Sequence, residues 1–206
     1  MPAISAGILL YRRVGAAALV SGEPDASVPA VEVLLVHPGG PYWAKRDAGA
    51  WSIPKGEAEE GELGAPPPPA EPWQRPAKVK PRLRAGSTDL LAVAKREFRE
   101  ETGIEPQGPC LALASIQQKG GKIVHAWAFE GDCDPSRLTS NTFHMEWPPR
   151  SGQSREFPEV DRADFFDLAT AHQKIKPSQW DLVVQLVTLL RARGCTVGGL
   201  PGEEPS

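Results

Sequence analysis

The sequence predicts an α/β fold in which a mixed sheet lies between helices, and three observations carry that expectation. Two apolar stretches, Ile4 to Arg12 and Val31 to His37, read as strands separated by a Gly-, Pro- and Ser-containing loop. Leu111 to Gln118 leads through Lys119-Gly120-Gly121-Lys122 into Ile123 to Glu130. Adjacent glycines suit a primed hairpin turn, whose two central residues both need positive φ. Around these strands, apolar residues recur at helical spacing.

In chain order, the first helix follows Ser87, Thr88 or Asp89, any of which can cap it, and Leu90, Leu91, Ala94 and Phe98 form its apolar stripe. Gly103 terminates it. Phe165-Phe166 reads as an aromatic strand, and a second helix follows Asp167, around Leu168 to His172. The last helix begins near Ser178, where Ser178 and Asp181 can form a capping box, and runs to about Arg193. Its expected packing face is Trp180, Val183, Val184, Val187 and Leu190.

Composition fits one domain over residues 1–197, followed by a Gly-, Pro- and Glu-rich stretch, 198–206, that reads as a flexible tail. The hydrophobic fraction is 40% and the charged fraction 24%, ordinary for a soluble protein. A net charge of −3 gives no drive towards nucleic acid or a membrane surface. Cys110, Cys133 and Cys195 are far apart and form no Cys-x-x-Cys set, which fits a reducing compartment. The apolar segment Ala3 to Tyr11 lacks a basic leading region and a cleavage site and is too short to span a bilayer. These features point to the cytoplasm.

The chemistry concentrates in Arg96-Glu97-Phe98-Arg99-Glu100-Glu101-Thr102-Gly103-Ile104. Glu97, Glu100 and Glu101 are three and four residues apart, so a helix gathers them on one face, where like charges repel. A solvated helix would alternate signs. The clustering implies a partner of opposite charge, and a hard divalent cation with oxygen ligands is the natural one. Mg²⁺ takes a few carboxylates together with substrate phosphates, which makes this a candidate phosphate-handling site.

The same residues resemble the second half of the Nudix box: Arg-Glu-apolar-any-Glu-Glu-any-Gly-apolar. Gly56 and Glu62, with five residues between them, match the first half. The family pattern places seven residues between its two halves, whereas this chain has 33, Leu63 to Lys95. The excess contains Pro66-Pro67-Pro68-Pro69, Pro72, Pro76 and Pro81, then Lys78, Lys80, Arg82 and Arg84. So many prolines exclude a helix or a central strand, and residues 63–88 read as a loop insertion in polyproline II or disorder. A solvated loop, a lid over polyphosphate and a partner docking site all fit that composition. Beyond the box, Ser5 to Arg12, Glu32 to Val36 and Trp51 to Gly56 are similar to Nudix hydrolases in the same order. They look most like a bacterial, MutT-like branch described as predicted nucleoside triphosphate pyrophosphohydrolases, and less like diadenosine tetraphosphate hydrolases.

The resemblance implies a Nudix α/β/α sandwich and hydrolysis of a pyrophosphate bond in a nucleoside diphosphate linked to another moiety, with Mg²⁺ or Mn²⁺. Glu97, Glu100 and Glu101 are the expected ligands, with Glu97 and Glu101 catalytic and the Gly56 carbonyl a further ligand because glycine permits close approach. Arg96 fits an orienting role. Glu62 would stand behind the ligands, and Lys55 either meets a phosphate or is a solvated loop lysine. Family members often draw one more Glu from a later loop; Glu159 has the better spacing here, with Glu156 behind it. Tyr42, Trp43, Phe143 and Trp147 are candidates for stacking on a base, against ordinary packing. The expected partner is a nucleotide-type small molecule; neither nucleic acid nor membrane is expected, and a homodimer is compatible with the chain.

Two other readings stand beside this one: a dinucleoside polyphosphate hydrolase, and a non-catalytic Nudix-like module that binds a nucleotide or partner. Other chemistries lack support. No Gly-x-Ser-x-Gly elbow occurs, His37, His125, His144 and His172 lack zinc spacing, and Gly39-Gly40-Pro41 reads as a turn.

Overall fold

The structure, a computed structural model, describes residues 3–15, 30–58, 89–118 and 120–203. Its described strands form a seven-stranded mixed sheet and a separate two-stranded one. At the centre lies β1 (Ile4–Val14), whose alternating side chains are buried on both faces. One edge of β1 pairs in parallel with β6 (Ile123–Glu130) along its length. The other edge is divided: residues 11–14 pair with β2 (Ala30–Pro38), and residues 5–7 pair with β3 (Lys55–Glu57). β4 (Cys110–Ala112) and β5 (Ile116–Gln117) pair with β6, and β9 (Val160–Asp167) closes the far side against β2.

Helices cover both faces. α1 (Leu90–Thr102) packs Leu90, Val93, Ala94 and Phe98 on Ala6, Ile8, Leu10, Leu34 and Phe129. α2 (Leu168–Lys174) and α3 (Trp180–Ala192) lie on the opposite face, over Leu9, Val33, Leu35 and Ala126. The expected α/β/α sandwich is therefore the observed one. No helix among the described residues is long and apolar enough to cross a membrane.

Local chemistry explains the boundaries. Asp89 caps α1 by accepting from the Ala92 N–H, and Gly103, at φ +72°, closes it with its N–H on the Arg99 carbonyl. Asp167 caps α2 through the Thr170 N–H. Gly120 and Gly121 adopt φ +92° and +87°, but the turn is closed by the Gly121 N–H on the Gln118 carbonyl at 3.0 Å, so the glycine pair does not supply the two central residues of a primed turn.

The last helix departs from expectation. A 3₁₀ turn at Pro177–Gln179 precedes α3, whose N-terminus has no side-chain cap, so the Ser178–Asp181 box does not form. Gln179 is instead buried, accepting the Ile53 N–H at 3.0 Å. The turn rotates the helix so that Leu182, Val183, Leu186, Val187 and Leu190 face the sheet, while Trp180 and Val184 move to its margin.

Strands β7 (Thr142–Glu146) and β8 (Ser154–Pro158) form a hairpin that the sequence pattern did not reveal. In the stretch expected to be a tail, Leu200 packs on the core and Glu203 pairs with Arg191 at 2.8 Å.

Candidate active site

Residues 51–58 cross from the edge of β2 to the edge of β1. Ser52 bridges Val36, the Ile8 N–H donates to the Pro54 carbonyl at 3.0 Å, and Lys55–Glu57 then pair with Gly7–Ser5. This fixes Gly56 opposite Ala6, on the side of the sheet that α1 covers. A methyl group on Gly56 would fall 1.6 Å from Glu97 Oε2 and 1.9 Å from Glu97 Cδ, so the carboxylate fills the space a side chain would need. Glycine is required here for access, since its backbone angles are ordinary.

Glu101, one turn beyond Glu97, accepts the Lys55 N–H through Oε2 at 3.0 Å, a contact spanning 46 residues of sequence. Arg96 divides the remaining charge: its guanidinium lies 2.9 Å from Glu97 Oε1 and 3.0 Å from Glu100 Oε2. Glu100 is held on Arg96, and its backbone carbonyl accepts the Asn141 N–H at 3.3 Å.

Burial raises the proton affinity of both carboxylates on this seam. Glu101 is pushed up to about 8 by desolvation; the Lys55 charge and N–H oppose the rise, and Glu97 and Glu159 add to it. Glu97 is also raised by burial, against the pull of Arg96, with Glu100 and Glu159 contributing. Glu159, between β8 and β9, thus acts electrostatically on both. Its N–H donates to the Asn141 carbonyl at 2.8 Å and its own carbonyl accepts the Gly39 N–H at 2.9 Å, so the loop is tied to the C-terminal end of α1. Glu156 is elsewhere, on exposed β8, where it accepts the Thr142 hydroxyl.

Among the described residues, no three His, Cys, Asp or Glu side chains converge into a metal cage. The donors present still suit a hard cation that keeps positions for water and phosphate: a carboxylate seated on a bare stretch of main chain, and a second, buried one whose charge is unfavourable without a cation. Glu62 lies outside the described residues, as does all of the insertion at 63–88.

The aromatic candidates divide. Tyr42 is 58% exposed and meets Trp147 edge to face at 5.3 Å. Trp43 packs on the core, with Arg46 5.4 Å and Lys176 5.3 Å from its ring centre. Phe143 packs against Phe157 beside Gly40.

Two features escaped sequence reasoning. His37 is fully buried between Asp161 (Nδ1, 2.6 Å) and the Arg46 carbonyl (Nε2, 2.7 Å), pinning the loop after β2 to β9. Lys176 arrives at the Trp43 face from the α2–α3 connection. Nothing in the local sequence distinguishes either from an ordinary loop residue. A cavity of about 650 Å³ opens at the other end of β1, but its two arginines are already engaged, Arg12 by Glu32 and Asp132, Arg13 by Glu130.

No protein-family model matches the chain, and no curated protein does. Solved structures do. A MutT/nudix family protein from Listeria innocua is 14% identical, covering 94% of this chain and 98% of its own, with a TM-score of 0.51. The Ap4A hydrolase of C. elegans, in a binary complex, is 14% identical over 91% of this chain and 98% of its own, at 0.50. A MutT/nudix family protein from Enterococcus faecalis is also 14% identical, at 0.45; this chain spans 44% of its length. At such identities the likeness speaks to architecture, and with the box residues gathered where β3 meets α1, the chain has the Nudix fold.

Proposed function

We propose that this chain is a Nudix pyrophosphohydrolase that cleaves a phosphoanhydride bond in a nucleoside diphosphate linked to another moiety, with Mg²⁺ or Mn²⁺. The observation that supports the reading most is the pairing of Glu97, lodged against Gly56, with Glu101, buried on the Lys55 N–H. Two carboxylates desolvated side by side are unfavourable in an unliganded fold and become favourable around a cation. Glu97, Glu101 and the Gly56 carbonyl would hold the ion, with Glu100 completing the set on release from Arg96. A divalent cation supplies charge neutralisation at the phosphate oxygens and acidity to water.

The protein's own groups do the rest. Arg96 holds Glu97 in place, and Glu159, whose charge adds to the rise at both carboxylates, is the candidate proton acceptor. Lys55 offers positive charge to a substrate phosphate, and Tyr42 offers an exposed ring to a base.

The test is a Mg²⁺-dependent hydrolysis screen over nucleoside triphosphates, nucleotide sugars and dinucleoside polyphosphates, with Glu101→Gln in parallel. Turnover that falls in the variant by about two orders of magnitude or more supports the hydrolase and names its substrate class. Preference for dinucleoside polyphosphates would favour the second enzymatic reading. A folded, metal-supplied wild type silent on the whole panel would leave a nucleotide- or partner-binding module.

A further inference from the structure

The β7–β8 hairpin stands apart from the main sheet and is rooted beside the carboxylate helix. Its feet are Asn141 and Glu159. The Asn141 N–H donates to the Glu100 carbonyl at 3.3 Å, the Glu159 N–H to the Asn141 carbonyl at 2.8 Å, and the Gly39 N–H to the Glu159 carbonyl at 2.9 Å. The Gly39–Gly40 pair is the surface on which this arm leans. A side chain at Gly39 would run into the Pro158 carbonyl, and a methyl group on Gly40 would lie 3.2 Å from Phe143 Cζ. Both glycines are bare where the arm packs.

The turn and the arm each present one further ring. The Trp43 N–H closes the turn on the Gly40 carbonyl at 3.2 Å, which puts Tyr42 at its tip. Trp147 follows β7 and is fixed there: its N–H donates to the Gln153 carbonyl at 2.9 Å, and the Gly152 N–H donates to Glu146 Oε1 at 2.7 Å. The rings of Tyr42 and Trp147 meet at 5.3 Å and 83°, so they form a corner and not a closed stack. Among the described residues, Tyr42 is the one large apolar side chain left exposed. The other candidate rings are already engaged, Phe143 by Phe157 at 6.2 Å and Trp43 by the core, Arg46 and Lys176.

We propose that Trp147, brought by the arm against Tyr42, determines specificity: the corner of the two rings seats a planar nucleobase and selects base-bearing substrates over the same phosphates without a base. The inference rests on the hydrolase reading and deepens it. A base stacked on one wall of the corner presents its edge to the other, and both contacts are favourable for aromatic rings. Three residues of chain, at most about 10 Å, lead from Gly39 to Tyr42. Since Gly39 is bonded to the foot of the arm, one nucleotide can reach from the corner to the carboxylate end. Trp147 acts in binding, and the bond-breaking step falls to the carboxylates.

The experiment compares wild type, Trp147→Ala, Trp147→Phe and, on the other wall, Tyr42→Ser, all in the full chain. Calorimetric titration uses the four ribonucleoside monophosphates and ribose 5-phosphate, which differ only in the base. The best monophosphate should bind wild type at least about tenfold more tightly than ribose 5-phosphate. Trp147→Ala and Tyr42→Ser should each shrink that ratio to within about threefold with ribose 5-phosphate binding unchanged, and Trp147→Phe should keep most of it. In hydrolysis of the best panel substrate, Trp147→Ala should raise KM about tenfold with kcat within about threefold. A wild type that does not prefer the base-bearing ligand would overturn the seat, as would a preference that survives both wall substitutions. Equal loss of monophosphate and ribose 5-phosphate binding would reduce the arm to a structural role and overturn it too. Turnover that persists in those cases leaves the hydrolase reading standing. A wild type that prefers the base through this corner yet hydrolyses nothing on the panel keeps the seat and removes the hydrolase.

Discussion

Gly56→Ala isolates the contact on which the site is built. The added Cβ would lie 1.6 Å from Glu97 Oε2, whereas ordinary contact begins at 3.4 Å, so the oxygen must retreat by about 1.8 Å. The obstructing atoms are the far end of a flexible side chain, and Gly56 does not occupy the left-handed region, so the backbone can stay where it is. The change in stability should be within about 1 kcal/mol. Glu97 is only 14% exposed and held on Arg96 at 2.9 Å, so a displaced carboxylate must drag the guanidinium with it or leave it. Misplacement by about 1 Å can cost a reaction roughly 10²-fold, so kcat should fall at least that far. The assay is Mg²⁺-dependent product release on the best panel substrate, beside a thermal melt of the same sample. Wild-type-like melting with activity within threefold of wild type would refute the claim that Glu97 acts from this seat.

Three further outcomes are expected. Glu101 has a folded-state pKa of about 8 against an ordinary 4.5; being raised, it favours folding below the ordinary value, and that contribution is lost as pH climbs through the folded one. In EDTA the wild type should therefore lose stability between those limits while Glu101→Gln holds level, and parallel melting curves across pH would count against a buried ionisable group. Gly7→Ala brings a Cβ to 2.7 Å from the Pro54 carbonyl, part of the main chain, so it should destabilise by about 1–3 kcal/mol and lower activity by shifting β3; an unchanged denaturation midpoint would contradict this. Deleting residues 63–88 restores the usual box spacing. Closing a connection shortened from 30 residues to four should stabilise by up to about 2 kcal/mol, and loss of folding on deletion would show that the segment is part of the fold.

Legibility in the sequence followed the range of each interaction. The helix bearing the carboxylates, its cap among three adjacent candidates, its terminating glycine and the Gly120–Gly121 turn depend on neighbouring residues, so pattern alone exposed them. The start of α3 was misread because the choice between a capping box and a 3₁₀ turn is made by a partner, Ile53, 126 residues away. β3, three residues long, exists only because β1 lends it an edge. Motif spacing brought Glu97 and Glu101 into view, but not that Arg96 would draw Glu100 aside. Lys176 was invisible because a lysine after a short helix has no signature until the Trp43 ring is placed beside it.

The two glycines facing opposite sides of the β1–β3 pair amount to a proofreading device. Gly7 leaves room for Lys55 on one face, and Gly56 leaves room for Glu97 on the other. Sliding β3 by a single residue would exchange the faces, driving a lysine side chain into the carboxylate seat and withdrawing the bare backbone from it. The mispaired strand would be rejected by steric conflict and could not assemble the carboxylate seat. Correct registry and chemical competence are thus one event, and a preparation of this protein should divide into fully competent and wholly inactive molecules, with no graded population between them.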